Sequence, residues 1–169
     1  MVLTGKEPVI TADKLRDILS YDPKSGIWVW RKKNARKVIV GKIAGFLHSS
    51  GYWKINIDGK AYYASRLAWL YVTGELPNGI VDHINLDKSD NRWCNLRLAT
   101  KSQNGANSRA QNAFGLKGVY QITGRRNFFS SIKINGENKR LGNFDCPAAA
   151  HFAYALAAYK YFGNFARTV

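Results

Sequence analysis

The chain has 169 residues, 46% hydrophobic and 13% aromatic, which is ample for one compact domain or two small ones and excludes disorder throughout. Its 26 Lys and Arg against 11 Asp and Glu leave a net charge of +15, favouring nucleic acid or an anionic membrane surface as partner; basicity alone does not choose between them. No apolar run approaches the roughly 20 residues that span a bilayer, and Met1-Val2-Leu3-Thr4-Gly5-Lys6-Glu7-Pro8 lacks the apolar centre of a secretory signal, so an intracellular protein is expected. Cys94 and Cys146 are far apart and outside any Cys-x-x-Cys pair, which predicts packed thiols, no disulfide framework and no structural zinc.

In chain order, Thr11 is placed to cap a short helix carrying Leu15, Ile18 and Leu19, which Tyr21-Asp22-Pro23 and Gly26 break. Ile27 to Trp30 reads as a strand. Arg31 to Lys37 is a basic run that must be solvated or lie on phosphate. Tyr52 to Ile57 alternates, and Asp58-Gly59 before Lys60 to Tyr63 is a two-residue hairpin signal, because such turns need positive φ. Ser65 to Val72 reads as a helix ended by Gly74 and Pro77.

A strand then delivers Val81-Asp82-His83-Ile84-Asn85. A polar loop with Asp87, Asp90 and Asn91 follows, then Asn95, an extended run through Leu96, Leu98 and Ala99, and a helix from near Thr100. The order is ββα, with Asn104 and Asn107 spaced to share a helix face that would look back at the hairpin. A histidine beside an aspartate, with carboxamides one hairpin and one helix further on, combines a base for water, a group that aims the base, and oxygen ligands for a hard divalent cation. The bland alternative for each residue alone is a surface turn or a helix cap.

Residues 108–116 are small and polar and read as a linker. Gly118 to Thr123, Phe128 to Ile134 and Lys139 to Phe144 form a meander, and Pro147 starts a helix to about Tyr161, with Gly163 after it. The stripe Phe152, Ala155, Leu156 and Tyr159 is expected to cover the sheet. Phe128, Ser130, Ile132 and Ile134 alternate with Phe129, Ser131 and Lys133, so the second set should face outward, with Lys117, Tyr120, Arg125, Arg126, Lys139 and Arg140 around it. That face is a suitable footprint for a DNA major groove, with arginines reading guanine and lysines touching phosphate. A merely soluble basic sheet is the alternative.

Several blocks together resemble the HNH homing-type endonucleases of phages and mobile elements that carry a C-terminal APETALA/ethylene-response-factor-type DNA-binding domain. They are Tyr21-Asp22-Pro23 with Gly26 and Trp30, Gly51-Tyr52, Arg66-Leu67-Ala68-Trp69, Thr73 to Pro77, Val81 to Asn85, Asp90-Asn91-Arg92, Asn95-Leu96-Arg97 and Asn104 to Asn107. In the C-terminal part they are Gly118-Val119-Tyr120, Leu141 to Phe144, Ala148-Ala149, Ala153-Tyr154 and Gly163 to Ala166. Phe128 stands where that domain usually has tryptophan. Ser65 stands where the nucleases usually have histidine.

The resemblance implies an α+β protein with a ββα-metal core. A nuclease region would cover 1–107 (core about 79–107), a linker 108–116 and a DNA-binding domain 117–169. It implies hydrolysis of duplex DNA with one Mg²⁺ or Mn²⁺, leaving 5′-phosphate and 3′-hydroxyl ends. His83 would be the general base, Asn95 would orient its ring, and Asp82 and Asn104 would hold the metal. Asn107 is the alternative ligand and Asn91 a further candidate. It also implies a monomer or weak dimer on DNA, in the cytoplasm of a bacterial or phage-infected cell. A non-catalytic DNA-binding regulator is the competing expectation, and an RNA-binding protein is disfavoured for want of an exposed stacking set.

Overall fold

Hydrophobic residues at helical spacing after the Thr11 cap start the order of elements. A computed structural model describes residues 10–168; the expectation about Met1 to Pro8 lies outside these residues. Helix α1 (Ala12–Ile18) begins where the Thr11 side chain accepts the Lys14 N–H, and buries Leu15 and Ile18. Leu19 belongs not to the helix but to strand β1 (Leu19–Tyr21), which pairs antiparallel with β2 (Trp28–Trp30). Strands β3 (Phe46–Leu47), β4 (Trp53–Ile57) and β5 (Lys60–Tyr63) form a second antiparallel sheet. Its hairpin turns at Asp58 (φ 50) and Gly59 (φ 79), the two positive angles the sequence calls for.

Helix α2 (Ala64–Thr73) follows and stops at Gly74, whose φ of 83 is the left-handed cap. Strand β6 (Ile80–His83) and β7 (Leu96–Ala99), joined by a polar loop and a short 3₁₀ turn (Trp93–Asn95), make a two-stranded sheet. Helix α3 (Lys101–Ala106) comes next, opened by a reciprocal Thr100–Gln103 capping box. The chain is thus α+β and runs ββα through the motif region. Leu15, Leu19, Trp28, Ile55, Ile57 and Leu67 are the largest fully buried side chains of the first core, which also takes in Val81 and Leu96 on either side of the motif loop.

Packing divides the chain between Leu98 and Ala99. In the second unit, β8 (Val119–Gln121), β9 (Phe128–Ile134) and β10 (Glu137–Phe144) form the meander in the order β10-β9-β8, backed by α4 (Pro147–Phe162). Helix α3 packs with α4 in this unit. Residues 108–116 are held by Asn112, whose Nδ2 donates to the Leu116 and Val119 carbonyls.

The face of α4 that covers the sheet differs from expectation. Phe152, Leu156 and Tyr159 are exposed, whereas Ala150, Tyr154, Ala158 and Phe162 are buried. Small residues at 150 and 158 let the helix approach the strands, and Tyr154 lies so close to Gly118 that a Cβ there would meet its ring at 2.0 Å. The two cysteines also differ from the packed thiols expected: both are exposed and free, and Cys146 caps α4, its sulfur accepting the Ala149 N–H.

Candidate active site

Strand β6 carries Asp82 and His83 into the first unit with both side chains buried. Arg66 of α2 fixes how the strand enters, donating to the Gly79 carbonyl at 2.9 Å and the Pro77 carbonyl at 3.1 Å. Burial pushes the His83 imidazole below its usual pKa, opposed by its hydrogen bond to Asn91 and by the Asp82 charge, so the ring is neutral near pH 7.

The structure brings Asn91, rather than Asn95, to the ring. Asn91 Oδ1 lies 3.4 Å from His83 Nε2, and its Nδ2 donates to the Ser89 carbonyl at 2.9 Å, which sets the amide with its oxygen toward the histidine. An amide oxygen only accepts, so this contact is made by the tautomer that carries its proton on Nε2. Asn91 is itself buried, and its carbonyl accepts the Tyr21 hydroxyl at 2.7 Å.

Gly26, at φ 74, lies so close that a Cβ would come within 2.5 Å of the Arg92 nitrogen and 2.6 Å of the Asn91 carbonyl carbon. The Trp93 N–H donates to the Pro23 carbonyl. The Tyr21-Asp22-Pro23 and Gly26 block is therefore the seat of the loop that aims His83.

Asn95 clamps that loop instead of touching the imidazole. Its Oδ1 accepts the Asn85 N–H at 3.0 Å, and its Nδ2 donates to Asn85 Oδ1 at 3.0 Å and to the Asp90 carbonyl at 2.8 Å. Asp90 completes the knot by accepting from Asn85 Nδ2 and from the Arg92 guanidinium, which pulls its carboxyl down to about 2. Asp82 accepts from Arg97 Nε at 2.9 Å in a nearly buried ion pair.

Three neighbours had no role in the sequence reading. Arg97 is one. The Tyr52 ring lies 6.0 Å from the His83 ring, and Lys88 Nζ stands 4.8 Å from the centroid of the Tyr52 ring. Nothing in local spacing signals them, since each reaches the site through a different strand or loop.

Asn104 is exposed on α3 and Asn107 is buried at its C-cap, both in the second unit. Within the first unit Asp82 offers a buried carboxylate, a hard oxygen donor of the kind that suits a divalent cation. No group of three or more His, Cys, Asp or Glu side chains that could hold a metal ion occurs among the described residues.

On the second unit's sheet, burial alternates along β9, with Ser130 and Ile132 inside, Ser131 half-buried and Lys133 exposed. Tyr120 stacks on Phe129 at 5.0 Å, and the Arg140 guanidinium lies 4.4 Å over the same ring. Arg125 and Arg126 are exposed at the β8–β9 turn. Lys139 lies over Tyr161, and Lys117 turns to the Ala106 carbonyl and the Tyr154 ring.

An HNH endonuclease family model matches residues 62–106, from β5 through α3. The chain is 35% identical over 130 residues to an uncharacterised HNH endonuclease, L560, of Acanthamoeba polyphaga mimivirus; the match covers 76% of this chain and 67% of that protein. This chain belongs to the HNH endonuclease family, and its activity class is that of a nuclease. No helix among the described residues is long and apolar enough to cross a membrane.

Proposed function

We propose that the protein is a homing-type endonuclease that hydrolyses one strand of duplex DNA, and that the buried His83 on strand β6, with Asn91 Oδ1 against its Nε2, is the observation that carries this reading. His83 Nδ1 takes a proton from water as the water oxygen bonds to phosphorus. The bond from phosphorus to the 3′ oxygen breaks, and that oxygen is protonated from solvent. The ends are then 5′-phosphate and 3′-hydroxyl. Asn91 keeps Nε2 protonated and the ring aimed, and Asn95 holds the loop on which Asn91 sits.

Asp82 with Asn104, or Asn107 as its alternative, would hold one Mg²⁺ or Mn²⁺. When bound, the cation supplies charge stabilisation to the phosphate and the leaving oxygen. Arg97 positions the Asp82 carboxylate.

In this reading residues 1–107 form the nuclease region, 108–116 the linker, and 117–169 an APETALA/ethylene-response-factor-type domain. The domain's outer face, with Tyr120, Arg125, Arg126, Ser131, Lys133 and Arg140, meets the DNA; Lys117 and Lys139, also expected there, turn instead toward α3 and α4. The setting is the cytoplasm of a bacterial or phage-infected cell, and a monomer with one site nicks.

The test incubates the protein and His83→Ala with supercoiled DNA under Mg²⁺, Mn²⁺ or chelator. Metal-dependent nicked product that the variant does not form supports the reading. A non-catalytic DNA-binding regulator is the second reading. It is favoured by the Arg97 guanidinium on Asp82, which competes with a cation for the carboxylate. It predicts a gel shift indifferent to chelator and no product in any lane.

A further inference from the structure

Residues 31–42 hold six cations, Arg31, Lys32, Lys33, Arg36, Lys37 and Lys42, and no acid. Arg31 donates to the Arg16 carbonyl and Lys32 pairs with Asp17, which ties the start of the run to α1. Lys33, Arg36, Lys37 and Lys42 are exposed, with no acidic partner among the described residues.

Between these charges the chain presents bare hydrocarbon: Ile39, Val40 and Ile43 are 62, 54 and 60% exposed. The loop is not slack. Gly41 donates to the Trp30 carbonyl at 2.8 Å, Trp30 to the Lys42 carbonyl at 3.1 Å and Ala44 to the Trp28 carbonyl at 2.8 Å, while Val38 packs on the core. Both polar atoms of the Asn34 side chain, which precedes the loop, are buried with no hydrogen-bond partner among the described residues.

A braced apolar tip of three exposed residues flanked by cations in sequence matches the apolar wedges that enter the minor groove and part a base step while neighbouring cations hold phosphate. A lipid surface calls instead for a broad apolar face. We propose that the 36–43 loop is such a wedge, with Ile39 and Val40 unstacking one step of duplex DNA and Lys33, Arg36, Lys37 and Lys42 gripping the flanking phosphates. This rests on the reading that the protein acts on duplex DNA.

The test uses the full chain carrying His83→Ala, so that binding is read without cutting, on random-sequence duplexes containing 2-aminopurine, which brightens when unstacked. The expected result is a fluorescence rise on binding that Ile39→Ser with Val40→Ser abolishes while a gel shift persists. Lys37→Ala with Lys42→Ala should lower the slope of log affinity against log salt by nearly two, at about 0.9 per phosphate. All four positions are exposed, and circular dichroism checks the fold. An unchanged fluorescence rise in the serine variant, or an unchanged salt slope in the alanine variant, overturns the wedge with DNA binding intact. Loss of binding to phosphatidylserine vesicles in the serine variant, with the DNA signals unmoved, overturns it in favour of lipid. Failure of the parent chain to bind duplex DNA sinks the broader reading as well.

Discussion

Asn91 Oδ1 faces His83 Nε2 at 3.4 Å, and because the Asn91 amide nitrogen is spent on the Ser89 carbonyl, the contact favours the tautomer protonated on Nε2. Replacing Asn91 by Ala removes the aim without removing the base. Nicking should fall about 100-fold, the cost of a misplaced group, with smaller change in DNA affinity. His83→Ala should lose roughly 100- to 10,000-fold, the range for a general base. The nitrogen chemical shifts of His83 distinguish a lost tautomer from a lost fold: Asn91→Ala should show both tautomers, and an unchanged single tautomer would remove Asn91 from the mechanism.

Asn95→Ala acts through the loop. It strips a partner from the Asn85 N–H and from the Asp90 carbonyl at once. Both bonds are only part-buried, and a hydrogen bond of this kind contributes about 0.5–1.5 kcal/mol. Chemical denaturation should report a loss in that range, with faster amide exchange in residues 84–95. Slowed nicking with unchanged stability and exchange would instead return Asn95 to the ring.

Gly26→Ala should unseat the same loop from the far side. The new Cβ would meet main-chain atoms of Asn91 and Arg92, and the φ of 74 is itself strained for alanine by roughly 1 kcal/mol or more. A lower melting temperature with weakened nicking is expected. Full activity at unchanged stability would show that the loop does not depend on the turn.

Lys117 is the clearest pH handle in the second unit. Burial, with help from the Arg167 charge, pushes its ammonium down to about 8 from the ordinary 10.5. Between those values the unfolded chain carries a proton that the folded one has released, so stability rises as pH climbs through this window. Lys117→Met should remove that rise and raise stability at pH 7. Thermal melts of both proteins across the window check it, and parallel pH profiles would contradict the buried-lysine origin.

Local order was legible in the sequence wherever chemistry acts over a few residues. Thr11 and Thr100 cap helices, Asp58-Gly59 turns a hairpin, Gly74 ends a helix, and the Asp82, His83, Asn104 series places the motif in ββα order, because positive φ, capping and alternation are short-range demands. Alternation likewise yielded the meander, while the α+β class followed from the family resemblance. What only the tertiary structure decided are relations between segments far apart in the chain. Whether Asn91 or Asn95 meets His83 depends on Tyr21 and Gly26, some seventy residues away, gripping the loop. Which stripe of α4 lies on the sheet depends on how closely Gly118 lets Tyr154 approach; periodicity marks an apolar face but carries no information about the steric fit that selects it.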